Sequence, residues 1–135
     1  MIKVGLIGCG FMGGMHAACY AALADLGVKV TAIADDRPDF LEQMEKQTGA
    51  QAYESGMALI EKADVDIVDI CLPTYLHCQY VTMLLHRGYN VQSEKPMGLT
   101  GEQCDEILRA WRESGKQLMI GMCLRFEPQY LVLKD

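Results

Sequence analysis

Short apolar runs alternate with stretches whose apolar positions recur every three or four residues, from one end of the chain to the other. Lys3-Val4-Gly5-Leu6-Ile7 has strand length and runs into glycines, and Val28–Ala34 (VKVTAIA) is rich in the β-branched residues that suit a pleated surface. Further strands are predicted at 50–53, 66–72, 90–93 and 117–122. The intervening segments read as helices. One covers 12–26 and is closed by Gly27; the next opens at Pro38, tolerated in a first turn, with Phe40, Leu41 and Met44 as its inner stripe. A short helix is expected near 57–62. Leu76, Tyr80 and Leu84, joined by His77, Val81 and Leu85, then form two adjacent rows of a helix ended by Gly88. Thr100-Gly-Glu-Gln103 reads as a capping box, with the Thr hydroxyl accepting from the Gln103 amide while the Gln103 side chain reaches back, and its helix runs to Gly115. A last helix is expected after Pro128.

Six strands separated by helices imply a parallel sheet, because each parallel crossover needs a helix to bring the chain back. Right-handed crossovers favour a doubly wound α/β arrangement with helices on both faces and strand order 3-2-1-4-5-6. The 135 residues suit one domain, 1–135, and half of them are hydrophobic, which excludes disorder. Lys+Arg number 12 against Asp+Glu 18, with the basic residues scattered singly, so a nucleic-acid partner is not expected. No run approaches the roughly 18 apolar residues of a membrane span. The six cysteines (Cys9, Cys19, Cys71, Cys78, Cys104, Cys123) contain no Cys-x-x-Cys pair and most sit in apolar runs. They read as buried reduced thiols in a cytoplasmic protein. His16, His77 and His86 are spread along the chain, so no metal constellation emerges from the spacing.

The candidate chemistry begins at Gly8-Cys9-Gly10-Phe11-Met12-Gly13, which fits G-x-G-x-x-G with a strand before it and a helix after it. Gly8 allows the tight turn, Gly10 lets a pyrophosphate approach the backbone, and Gly13 lets the helix pack closely. The N–H groups of Gly10, Phe11 and Met12 and the helix dipole would face the anion. Asp35 ends the second strand, where a carboxylate can accept from both ribose hydroxyls of an adenosine and repel a 2′-phosphate, so NAD is expected over NADP. Asp36 adds negative charge, whereas Arg37 could bind a 2′-phosphate or stack on adenine. Flavin and S-adenosylmethionine sites also use glycine-rich turns of this kind, and Asp35 could instead cap the following helix.

Cys71-Leu72-Pro73-Thr74-Tyr75-Leu76-His77, Glu94-Lys95-Pro96 and Gly121-x-x-x-Arg125-Phe126, together with the glycine fingerprint, resemble the glucose–fructose oxidoreductase/inositol dehydrogenase (Gfo/Idh/MocA) family. The resemblance implies a Rossmann dinucleotide-binding domain of an oxidoreductase that moves hydride between NAD(P) and a sugar, cyclitol or related alcohol. It also implies a following substrate domain, which this chain does not contain. The chain alone is therefore expected to bind NAD with little or no turnover and to be monomeric. A dinucleotide-sensing module, or a stand-alone nucleotide-binding domain without catalysis, is the alternative. By position, Cys71, Leu72, Pro73 and Thr74 would line the cofactor beyond the fourth strand. Glu94 and Lys95 would lie near the nicotinamide, with Pro96 following a cis peptide. Lys95 would be the catalytic residue: a lysine whose pKa is lowered by a nearby NAD⁺ can relay the hydroxyl proton and steady the alkoxide. Read without the motif, Lys95 is a surface lysine after a strand. His77 reads as a ring packed or hydrogen-bonded beside the cofactor, and Arg125 as a partner for an acidic group or the substrate.

Two polar residues depart from the pattern. Gln92 and Ser93 fall in a strand where continuous apolar sequence is expected, and exposure of those faces to water would account for them, as would ordinary drift.

Overall fold

The computed structural model describes residues 1–134. Six parallel strands, β1 (Ile2–Ile7), β2 (Val28–Ala34), β3 (Gln51–Tyr53), β4 (Ile67–Ile70), β5 (Asn90–Glu94) and β6 (Leu118–Gly121), form one sheet in the order β3-β2-β1-β4-β5-β6. The helices are α1 (Phe11–Ala22), α2 (Pro38–Thr48), α3 (Gly56–Lys62), α4 (His77–His86), α5 (Gly101–Ser114) and α6 (Pro128–Lys134). The doubly wound expectation and its strand order hold. No helix among the described residues is long and apolar enough to cross a membrane.

The core lies on both faces of the sheet. Val4, Leu6, Val30 and Ile33 pack with Ala17 of α1 and Met44 of α2, with Phe40 and Leu41 partly buried beside them. On the other face Ile7, Ala32, Val68 and Ile70 pack with Leu59 and Ile60 of α3, Val81, Leu84 and Leu85 of α4 and Ile107 of α5. Val30 and Ile33 share a face although they are three residues apart, which strict strand alternation forbids. A register shift explains it: Val4 pairs with Val30 but Gly5 with Ala32, leaving Thr31 as the extra residue of a bulge.

Several boundaries differ from the sequence reading. α1 stops at Ala22, and a separate 3-10 turn over Ala24–Leu26 leads to Gly27, whose φ of 76° provides the predicted left-handed stop. β4 is shorter than predicted because the chain leaves the sheet after Ile70. In α4 the row His77, Val81, Leu84 and Leu85 is buried, whereas Leu76 lies in the preceding 3-10 turn and Tyr80 is half-buried. The α5 cap forms on one side as predicted, Gln103 N–H donating to Thr100 Oγ1 at 3.3 Å. Its return bond runs one residue further back than a capping box, with Leu99 N–H donating to Gln103 Oε1 at 2.8 Å.

The polar residues of β5 do not both meet water. Ser93 is fully buried and its Oγ donates to the Glu94 carbonyl at 3.3 Å, so a small hydroxyl satisfied on the backbone replaces the apolar residue. Gln92 is half-buried along a groove at the β5–β6 side of the sheet. The thiols also divide: Cys9 and Cys78 are buried, Cys71 and Cys104 intermediate, but Cys19 and Cys123 are exposed, so the expected burial holds for part of the set. Beyond β6 the apolar residues Leu124, Phe126, Leu131, Val132 and Leu133 are exposed.

Candidate functional site

β1, β2 and β4 end side by side, and the sheet order reverses between β1 and β4. Open α/β sheets bind ligands at this crevice, because loops from neighbouring strands leave in opposite directions. A cavity of about 760 Å³ occupies it. Gly8, Gly10, Phe11 and Met12 line it from the first turn, Asp35, Asp36 and Arg37 from the end of β2, and Cys71, Leu72 and Pro73 from the end of β4.

The first turn has its shape for steric reasons. Gly8 has a φ of 99°, and a Cβ there would stand 2.5 Å from the Cys71 carbonyl oxygen. Gly10 differs: a Cβ would meet only the tip of Arg37, at 3.3 Å, so its bare face opens into the cavity. Gly10 is also the N-cap of α1. No side chain caps this helix end, and its first turn carries no acidic residue. Unpaired N–H groups at the positive end of a twelve-residue helix thus remain available to an anion.

Opposite them lies the carboxylate of Asp35, with a side chain only 4% exposed. Cys9 N–H donates to Oδ2 at 2.7 Å, and the N–H and Nε of Arg37 donate to Oδ1 at 2.9 and 3.1 Å. Burial alone would push this carboxyl up. The Arg37 guanidinium and the two backbone donors outweigh burial and hold it below the usual carboxylate range. The Arg37 guanidinium also stacks 3.8 Å above the Phe40 ring. Asp35 does not cap α2, whose N-cap is Arg37 without a side-chain bond. Burial, and then the Asp35 charge, push the neighbouring Cys9 thiol up to about 12, so it is inert.

Other predicted residues stand around the cavity without lining it. Gly13 supports the turn from behind. Thr74 opens the 3-10 turn before α4. His77 is 1% exposed, with Nδ1 2.7 Å from the Pro96 carbonyl and Nε2 2.8 Å from the Leu72 carbonyl, so it ties the β4 loop to the β5 loop. Lys95 is exposed at the end of β5, and the Lys95–Pro96 peptide is cis, as the motif implied. Ser55, Gly56, Tyr75 and Tyr80 also line the cavity, and none of them was read from sequence as a cofactor contact. A strand-to-helix turn after β3 and one tyrosine on a partly buried row carry no distinctive spacing.

Glu94 faces elsewhere, and with it His16, which had no obvious partner in the sequence. His16 Nδ1 lies 2.8 Å from Asp69 Oδ2 and Nε2 3.1 Å from Glu94 Oε1. Tyr20 Oη donates to the same Asp69 oxygen at 2.9 Å, and Cys71 Sγ is 3.4 Å from His16 Nδ1. Two carboxylates on two ring nitrogens favour the imidazolium: the Asp69 bond is the largest influence, outweighs burial and, helped by Glu94, raises the His16 pKa. Burial and then Asp69 push the Tyr20 hydroxyl and the Cys71 thiol up, so both keep their protons. The signal was present in Asp-Ile-Val-Asp-Ile-Cys-Leu, because a charge in mid-strand of a central parallel strand requires a buried partner.

Among solved structures, WlbA dehydrogenase from Bordetella pertussis, in complex with NADH and UDP-GlcNAcA, superposes with a TM-score of 0.84 at 28% identity, covering 88% of this chain and 34% of that one. KijD10, a 3-ketoreductase from Actinomadura kijaniata in complex with NADP and TDP-benzene, gives 0.85 at 32% identity, covering 98% and 40%. Inositol 2-dehydrogenase 2 of Saccharopolyspora erythraea is 30% identical over 135 residues, 98% of this chain and 40% of its own length. The chain spans about 40% of the length of the curated relatives it matches. The sequence model of the GFO_IDH_MocA family, described as an oxidoreductase family with an NAD-binding Rossmann fold, matches residues 2–122, and the chain belongs to that family as its NAD(P)-binding Rossmann domain.

Proposed function

We propose that this domain binds NAD in preference to NADP and serves an oxidoreductase acting on a sugar, cyclitol or related alcohol. The uncapped amino end of α1 facing the Asp35 carboxylate across one cavity carries this reading, since it offers donors for a diphosphate and acceptors for ribose hydroxyls. Gly10, Phe11 and Met12 would hold the diphosphate. Asp35 would take the two ribose hydroxyls once the Arg37 side chain swings off Oδ1, a movement its half-exposed position permits. The Asp35 charge, with Asp36 beside it, disfavours a 2′-phosphate of about −2. Arg37 is the opposing influence, and its stacking on the Phe40 ring competes with its use as a ligand for a 2′-phosphate. The solved relatives hold NADH in one case and NADP in the other, so the preference rests on these side chains.

Bound NAD would accept or donate hydride at its nicotinamide. Pro73 and Thr74 would flank the cofactor beyond β4, and Cys71 and Leu72 would form the wall beneath. Lys95 would project from the end of β5 toward the alcohol, with Pro96 and the buried His77 fixing the turn that presents it. A neutral amine there can take up the hydroxyl proton, and the ammonium so formed steadies the developing alkoxide charge before the proton passes to solvent. Substrate contacts beyond Lys95 would come from the part of the relatives that this chain does not span, so the isolated chain should bind the dinucleotide and turn over little.

Calorimetric titration with NAD and NADP tests the reading. NAD should bind at least tenfold more tightly, and Asp35→Ala should erase the difference. Equal affinities in the unaltered chain, or tighter NADP, would overturn the cofactor preference. No uptake of either at millimolar concentration would overturn the site.

A further inference from the structure

We propose that His16 Nδ1, a carboxylate oxygen of Asp69 and Cys71 Sγ form a binding site for a thiophilic divalent cation of the zinc type. Glu94 and Tyr20 would be its outer hydrogen-bonding partners. The donors come from three places, α1, β4 and the residue one past β4, and converge so that all three ligand atoms lie within 4.8 Å of one another. Nδ1 is 2.8 Å from Asp69 Oδ2 and 3.4 Å from Cys71 Sγ, and Sγ is 3.9 Å from Asp69 Oδ1. Zinc bonds of about 2.0–2.3 Å at tetrahedral angles space such atoms about 3.3–3.7 Å apart. The Nδ1–Oδ2 edge must open by about half an ångström and the thiol must draw closer to the carboxylate by a few tenths, adjustments that small rotations of the imidazole and the Cys71 side chain provide.

The surroundings match what a metal-ligating histidine requires. Its second nitrogen faces Glu94 Oε1 at 3.1 Å, so Nε2 keeps a proton for that carboxylate while the Nδ1 lone pair turns toward Asp69 and Cys71. Tyr20 donates to the same Asp69 oxygen and holds the carboxylate in place. Charge balance permits the exchange. A divalent cation displaces one proton from Nδ1 and one from the thiol, so the net charge of the group is unchanged. Thiolate, imidazole and carboxylate together select zinc or cobalt over magnesium or calcium, which take oxygen donors. Three protein ligands leave a fourth position open on the side where His16 and Cys71 remain partly accessible. The ligand residues form no spacing motif, because His16 and Asp69 are 53 positions apart.

The test needs no nucleotide, so its outcome is independent of the cofactor reading. The chain with the exposed Cys19 and Cys123 both changed to Ser is stripped with chelator and titrated with Co²⁺. One equivalent should bind, with thiolate-to-cobalt charge-transfer absorption and the visible bands of a four-coordinate site, and Zn²⁺ should bleach both. Cys71→Ser in the same background should abolish the charge-transfer band, and Asp69→Asn should weaken binding at least tenfold. In the unaltered chain, at a pH and exposure time where metal-free Cys71 labels measurably, one equivalent of Zn²⁺ should protect Cys71 from alkylation, read by mass spectrometry, while Cys19 and Cys123 still label. Absence of the charge-transfer band, its persistence in Cys71→Ser, or unprotected labelling of Cys71 would overturn the proposal.

Discussion

The carbonyl oxygen of Gly8 stands 2.0 Å from where a Cβ on Gly13 would be. The first turn of α1 is therefore pressed directly on the backbone of the strand-to-helix turn, and the third glycine of the fingerprint is required by this contact. Gly13→Ala must push α1 away from the sheet. It should cost about 3 kcal/mol, the upper end for an overpacked core, read as a lowered urea midpoint at unchanged slope. NAD uptake should fall with it, because the displaced helix carries the anion donors. Gly14 is the internal control: a Cβ there meets nothing within 4 Å, and Gly14→Ala should stabilise by about 0.5–1 kcal/mol.

Asp35 gives a pH signature. Its folded-state pKa lies below the ordinary value, because the Arg37 and Cys9 donors outweigh burial. Such a group contributes stability that is fully present above the unfolded pKa of about 4 and is lost as pH falls through the folded pKa. The stability difference between the unaltered chain and Asp35→Ala should therefore be constant from neutrality to about pH 5 and shrink below it. In the same variant NAD affinity should drop by about 1.5–3 kcal/mol, the usual worth of hydrogen bonds to a charged group. A difference that grew on acidification would show that the Asp35 contacts are not stabilising.

What the sequence disclosed follows periodicity and local steric demand. The strand order was legible because right-handed crossovers leave few arrangements, and the glycine turn and Asp35 at the end of β2 because both lie within one βαβ unit. The glycine stops at Gly27, Gly88 and Gly115 were legible because left-handed backbone leaves a local mark. The cluster around His16 was not legible, because its members sit on α1, β4 and β5 and meet only once the sheet is assembled. Ser93 misled for a related reason: a small hydroxyl can satisfy itself on the neighbouring carbonyl, so polarity in the sequence did not mean contact with water.

Tyr20 and Asp69 make the cluster measurable as a stability element. Asp69 is fully buried and accepts from the Tyr20 hydroxyl at 2.9 Å. Tyr20→Phe preserves the ring and removes one of the donors holding a buried carboxylate. The cost should be about 1–3 kcal/mol, as for an acceptor left short inside a protein. Chemical denaturation checks it, and a loss below about 0.5 kcal/mol would mean that water replaces the hydroxyl.

Thr31 supplies a substitution that should stabilise. It occupies the bulge of β2, and its Oγ1 is buried without a hydrogen-bond partner among the described residues. The strand backbone at this point is set by the pairing of Val30 and Ala32 with β1, so the side chain can change without moving the bulge. Valine has the same branched shape and matches the β preference of the site. Thr31→Val therefore replaces an unpaired buried hydroxyl with a methyl of similar size and should raise stability by about 1 kcal/mol. For a domain of this size that corresponds to a rise in Tm of about 3–6 °C, readable by calorimetry. An unchanged or lowered Tm would mean that the Thr31 hydroxyl finds a partner in solution, a water bridging it to a neighbouring strand carbonyl being the simplest.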